Sequence, residues 1–150
     1  MKTSHWVLGT VSVLLLSFSA IIAGEVDLKG VKCLLNPQAD AKAEKSVDYK
    51  GGKVYFCCDN CPKAFAKDTA KFAAKANAQL VSTKQAKQEK CPLSGGATKA
   101  DKTAKVGGIE VAFCCENCQG KVAKASADEA VELVFNDKAF EKGFKVEVKK

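Results

Sequence analysis

The chain has 150 residues and a net charge of +7 carried on the basic side entirely by lysine, since it contains no arginine. Lysines interspersed with Asp and Glu form a solvated surface, and without arginine forks for bases and phosphates a nucleic-acid partner is not expected. The single histidine, His5, and the only Met and Trp precede residue 24, which leaves the rest of the chain without the usual side chain for acid–base or hydrolytic work.

Met1–His5 is a short basic lead into an apolar run from Trp6 to Ala23, with Leu14-Leu15-Leu16 at its centre and small residues at its end. This is the build of a signal peptide, residues 1–23, cut before Gly24. The run approaches the ~20 residues of a membrane-spanning helix, but Gly9, Thr10, Ser12, Ser17 and Ser19 dilute it, and no cysteine follows for lipid attachment. A secreted or periplasmic protein with no stable membrane insertion after cleavage is expected.

From Glu25 the pattern Val26, Leu28, Val31 predicts a short strand into Cys33; the equivalent lead-in to Cys91, Lys84–Lys90, is more polar. Each lone cysteine is followed by a turn-like segment, Leu34-Leu35-Asn36-Pro37 or Pro92-Leu93-Ser94-Gly95-Gly96, of the kind that turns backbone amides toward a sulfur. Lysine- and alanine-rich connections lead to two hairpins. Ser46–Tyr49 and Lys53–Phe56 flank Lys50-Gly51-Gly52, and Thr103–Val106 and Ile109–Phe113 flank Gly107-Gly108.

Each hairpin ends on the same stretch. Phe56-Cys57-Cys58-Asp59-Asn60-Cys61 recurs 57 residues later as Phe113-Cys114-Cys115-Glu116-Asn117-Cys118. Asn60 and Asn117 are candidate N-caps, with Pro62 in a first turn, so a helix is predicted from the third cysteine of each copy. The first continues through Phe65 to Phe72–Ala76, with a break indicated at Asp68-Thr69, and Phe65 and Phe72 are expected to pack on the hairpin. Ser126–Glu129 is a capping box opening a helix from Ala127 to about Phe135. Asn77–Thr83 reads as a linker, and Lys145–Val148 as a closing strand. The result is an α+β protein of two tandem units, residues 24–81 and 82–150, each a β-hairpin followed by a helix. Each unit is near the lower limit for a self-sufficient core and needs a metal or disulfides.

All eight cysteines belong to the duplicated pattern. Thiolates bind soft or borderline metals when rigid elements bring them together. If the strand persisted through the adjacent pair, only one cysteine of each pair would reach the site, because neighbouring strand residues face opposite ways. If it ends there, Cys33, Cys57, Cys58 and Cys61 in one unit, and Cys91, Cys114, Cys115 and Cys118 in the other, can form four-sulfur sets. The third cysteine sits at a predicted helix start, where the dipole favours thiolate. Zn suits four thiolates and Cu(I) two or three.

The order Cys91-Pro92-x-Ser94-Gly95, a Gly-Gly turn, a short strand and F-C-C-x-x-C before a helix resembles the YHS and TRASH family of small metal-binding domains. The first unit has Leu34-Leu35-Asn36 where the second has Pro92-Leu93-Ser94, and neither holds the family's histidine. The resemblance implies treble-clef or zinc-knuckle-like units with ligands Cys33, Cys57 and Cys61 in the first and Cys91, Cys114 and Cys118 in the second. It also implies metal ions as partners, with a metal-donor or acceptor protein, and binding rather than enzymatic activity. Two other readings fit the cysteines: a disulfide-stapled structural or interaction protein, and a thiol–disulfide oxidoreductase using Cys58–Cys61 and Cys115–Cys118.

Overall fold

In the computed structural model the described residues are 26–147; the segment expected to be a signal peptide, residues 1–23, and Val148 lie outside them. The architecture is α+β. Strands β1 (Lys42–Tyr49) and β2 (Gly52–Phe56) form one antiparallel hairpin, followed by helices α1 (Asn60–Lys67) and α2 (Thr69–Ser82) and the short strand β3 (Ala86–Gln88). A second hairpin, β4 (Lys99–Val106) and β5 (Ile109–Phe113), leads into helices α3 (Glu116–Ala123), α4 (Ala127–Phe135) and α5 (Asp137–Gly143) and strand β6 (Phe144–Val146). β6 closes antiparallel on β3, joining the tail to the start of the second unit.

The duplication extends to the backbone. Both hairpins slip register once, between Lys42 and Ser46 in β1 and between Lys99 and Thr103 in β4, and both turn on two residues with positive φ. Gly107 and Gly108 occupy that turn in the second hairpin, whereas Lys50 (φ 49°) and Gly51 do so in the first. Such a pair matches the twist of the flanking strands. Gly52 is already in β2, where a Cβ would meet Leu80 Cδ2 at 2.8 Å. β1 and β4 also begin earlier than the alternating pattern suggests and absorb part of the lysine-rich connections.

Three expectations are corrected. The Val26–Val31 segment is not a strand: a turn at Lys29-Gly30 interrupts it, and a single bridge between Lys32 and Asp40 closes the loop that carries Cys33. Asn77–Thr83 is not a linker. Residues to Ser82 are helical, and Asn77, Gln79, Leu80 and Thr83 are buried. Asn60 and Asn117 are not N-caps, because Asp59 and Cys115 hold those positions. Asp59 is drawn to Lys45 (2.6 Å), and Glu116 to the equivalent Lys102 (2.9 Å), so an ion pair between hairpin and helix start replaces a side-chain cap. The break at Asp68 is present, with the Asp68 carboxylate accepting from the Lys71 amide, and the Ser126–Glu129 capping box opens α4.

The two units pack as one body. α2 packs against α4 and α5, and one apolar cluster takes in Phe56, Phe65 and Leu80 together with Phe113, Val134 and Phe135. Phe65 packs edge-on against Tyr49 and tilted against Phe56, both at 5.6 Å; Phe72, beyond the break, is half-buried. The wholly buried Asn77 donates to the Phe135 carbonyl (2.8 Å) and to Asp137 (3.0 Å), which also pairs with Lys50 (2.7 Å).

The outer edges of the hairpins are closed by glutamine side chains. Gln79 Oε1 accepts from the Tyr55 amide (2.7 Å) while its Nε2 donates to the Tyr55 carbonyl (3.0 Å) and to Lys32 O (3.1 Å). Gln85 does the same for Lys53, and Gln88 for Ala112. Each amide stands in for one residue of a missing neighbouring strand. Gln79→Leu is expected to destabilise the protein by about 3 kcal/mol in urea unfolding, because a buried N–H or C=O left unpaired costs about 1–3 kcal/mol. Gln85→Leu, on the exposed part of the same edge, should cost less than about 1 kcal/mol because water replaces the lost bonds. Equal losses would mean that the edge bonds carry no special weight.

Candidate metal centres

β2 and β5 end on Phe56 and Phe113, both wholly buried, and the chain leaves the strand at once. Cys57 and Cys114 therefore turn toward the loops of the lone cysteines instead of alternating across a sheet. The sulfurs of Cys33, Cys57 and Cys61 lie within 4.8 Å of one another, and so do those of Cys91, Cys114 and Cys118. In the first trio Cys61 is 3.8 Å from both Cys33 and Cys57; in the second Cys114 is 3.7 Å from Cys118. Cys58 and Cys115 stand at the margin. Cys58 is exposed and touches Cys61 (3.4 Å), whereas Cys115 is half-buried and touches Cys114 (3.6 Å). All eight cysteines are free thiols.

The lone cysteines are the buried members, and their loops are held tightly. Cys33 N donates to Ala39 O and Ala41 N to Val31 O, each at 2.9 Å. Cys91 N donates to Gly96 O (2.9 Å) and Gly95 N back to Cys91 O (2.7 Å). Ahead of Cys91, the Gly143 carbonyl accepts from both Glu89 and Lys90, and a Cβ on Gly143 would meet Pro92 Cα at 2.7 Å. Gly143 carries no sequence signal because its partner lies some fifty residues away in the chain. Ser94, inside the turn, places its hydroxyl 3.1 Å from Cys114 Sγ; the first unit has no counterpart at Asn36.

These loops turn amides toward sulfur, as their composition suggests. Burial opposes a thiolate at Cys33, but the backbone amides of Leu35, Asn36 and Cys57 outweigh it and lower the pKa. Burial also opposes ionisation of Cys91, yet the Ser94 hydroxyl and amide, with the amides of Cys114 and Leu93, hold it at about 6.

The expected activation of the third cysteine is corrected. Burial and the thiols of Cys58, Cys33 and Cys57 push Cys61 well up, and burial with the thiols of Cys114 and Cys115 pushes Cys118 to about 12. Cys57 is also raised, chiefly by its contact with Cys33. The helix start acts on the middle cysteine instead: the amide and thiol of Cys61 and the amide of Asn60 lower Cys58 to about 7. Cys115 is lowered in the same manner by the Cys118 amide and neighbouring thiols. The physical reason is position: Cys61 lies inside the first turn, while the free N–H groups point out at the residue preceding the helix.

The three sulfurs of each trio suit a thiophilic ion. A Zn–S bond of about 2.3 Å in tetrahedral geometry sets sulfurs about 3.8 Å apart, in line with the 3.8 Å and 3.7 Å contacts. Among known proteins, no family model, curated protein or solved structure matches the chain.

In the reduced, metal-free protein, iodoacetamide is expected to alkylate Cys58 first, with a rate midpoint near its pKa of about 7. Only the thiolate reacts, so the rate falls about tenfold from its plateau at one unit below the midpoint. The buried Cys33 and Cys91 should resist labelling despite their lowered pKa. Peptide mass mapping across pH 5.5–9 reads this, and a Cys58 midpoint near the ordinary ~8.5 would contradict the assigned role of the helix start.

Proposed function

We propose that the protein is an exported metal-ion-binding protein that holds one soft or borderline ion, Zn(II) or Cu(I), in each of two cysteine centres. The observation that carries this reading is the pair of sulfur trios, Cys33, Cys57 and Cys61 beside Cys91, Cys114 and Cys118. Three sulfurs suit Cu(I) directly, and suit Zn(II) once a water or another ligand fills the fourth position. The trios are the ligand sets implied by the YHS/TRASH resemblance, which supports reading residues 24–81 and 82–150 as tandem treble-clef-like units. Binding, not catalysis, is the activity, with metal ions and a donor or acceptor protein as partners. The leader sequence supports a secreted or periplasmic location.

The oxidoreductase reading has one observation in its favour, the 3.4 Å approach of Cys58 to Cys61 at a helix start. In the second unit Cys115 leans instead on Cys114, at 3.6 Å. Reduction of insulin by the thiol form, with no metal retained, would favour it.

The binding reading is tested by titrating the reduced protein with Zn(II) and Cu(I) and recording its mass under native electrospray conditions. Two ions are expected for the wild type and one each for Cys61→Ser and Cys118→Ser, with two retained by Cys58→Ser. No ion bound, or two retained after Cys61→Ser, would sink the reading.

A further inference from the structure

The two centres share three positions and differ in what lies in front of them. In the first unit the fourth thiol, Cys58, is exposed and lies against Cys61, at 3.4 Å. In the second unit Cys115 is half-buried and leans on Cys114, whose sulfur is also contacted by the Ser94 hydroxyl at 3.1 Å. The first centre is thus open on its solvent side through a thiol, and the second is covered there by a half-buried thiol and a hydroxyl.

We infer that Cys58 is an exchange thiol, through which the ion held by the first unit is handed to an acceptor bearing its own thiols, while the second unit retains its ion. This rests on the metal-binding reading above and assigns the bound ion of the first unit as cargo. Three features carry it. Cys58 lies outside the mutually close trio, so it is not needed to define the centre. Its sulfur is in contact with one trio member, so it can take over from Cys61 without movement of a strand or helix. It is also the one exposed cysteine of the eight, the place where an incoming ligand first meets sulfur.

Ligand exchange follows without redox change. A bond forms between Cys58 Sγ and the ion as the bond to Cys61 Sγ breaks, the Cys58 proton passing to Cys61, which brings the ion to the surface side of the centre. Acceptor thiols then replace the remaining sulfurs one at a time, each giving its proton to the cysteine it displaces. The ion keeps its oxidation state, and the thiolate count is conserved between the two partners. The apolar body beneath the centre does not have to open, because Phe56 and Phe65 also pack on each other, at 5.6 Å.

The test uses Zn(II)-loaded protein mixed with a synthetic peptide carrying a Cys-x-x-Cys pair, with both masses recorded at timed intervals under native conditions. One zinc is expected to leave at least tenfold faster than the other, and the fast step should be missing from Cys61→Ser, which lacks the first centre. Cys58→Ala should slow the fast step at least tenfold while changing the equilibrium zinc affinity of the first unit less than threefold; Cys115→Ala should leave the fast step unchanged. Cys58 is exposed, so circular dichroism of the variant should match the wild type. Wild-type transfer rates in Cys58→Ala would make the thiol a bystander and overturn the inference. Loss of the first unit's zinc in Cys58→Ala would make it a resident ligand and overturn it equally, leaving the binding reading intact. A wild type that retains no zinc would instead remove the binding reading for zinc, and this inference with it.

Discussion

Both centres depend on a strand that stops on a buried phenylalanine. Phe56 and Phe113 fix the ends of β2 and β5 in the core, and the chain must leave the sheet at the next residue to reach the helix. Had either strand continued, its cysteine pair would have been split across two faces, and no trio could close on the lone cysteine. The sulfur geometry is therefore a consequence of apolar packing. The ion pairs Lys45–Asp59 and Lys102–Glu116 brace the same corner at exposed positions, where solvent screens them and packing carries most of the weight.

The second dependence is of each unit on the other. A duplicated sequence invites the picture of two beads on a string, and the cysteine pattern by itself allows nothing more. Asn77, Lys50 and Tyr49 from the first unit meet Phe135 and Asp137 from the second. The Lys50 ammonium, ahead of the Asn77 and Tyr49 contacts, holds the Asp137 carboxyl below the usual range, while burial and then the Asp137 charge push Tyr49 up to about 12. Asp137, with its depressed pKa, adds stability above its unfolded value that fades as the pH falls through the folded one. Tyr49 adds stability below its unfolded value that is lost as the pH rises from about 10 toward about 12. The contact between units is strongest over the broad interval between these limits.

Local chemistry made much of this legible. Glycine turns, the Ser126 capping box, the Asp68 break and the amide-rich loops after Cys33 and Cys91 all act over a few residues, and each is where the sequence places it. Long-range partners escaped. Asn77–Thr83 looks like a linker because its polar residues have no local use; Asn77 serves a carbonyl far along the chain, and Gln79 serves Tyr55 and Lys32. Gly143 is mute for the same reason. At the site, the trios are the sets that the family resemblance implies, whereas the helix start acts on a different thiol from the one expected. One residue of offset decides whether a sulfur faces the free amides or sits among other sulfurs, and spacing alone does not resolve it.

The glutamine closure of the hairpin edges has a further consequence. Two-stranded ribbons expose a row of unused backbone groups to any other copy of the chain, and here each ribbon ends in an array of thiols. If two ribbons zipped together, their cysteines would be brought side by side, where oxidation would weld the copies permanently. By occupying β2 at Lys53 and Tyr55 and β5 at Ala112, Gln79, Gln85 and Gln88 withdraw those backbone groups from pairing with another copy, on the strands that lead into the thiols.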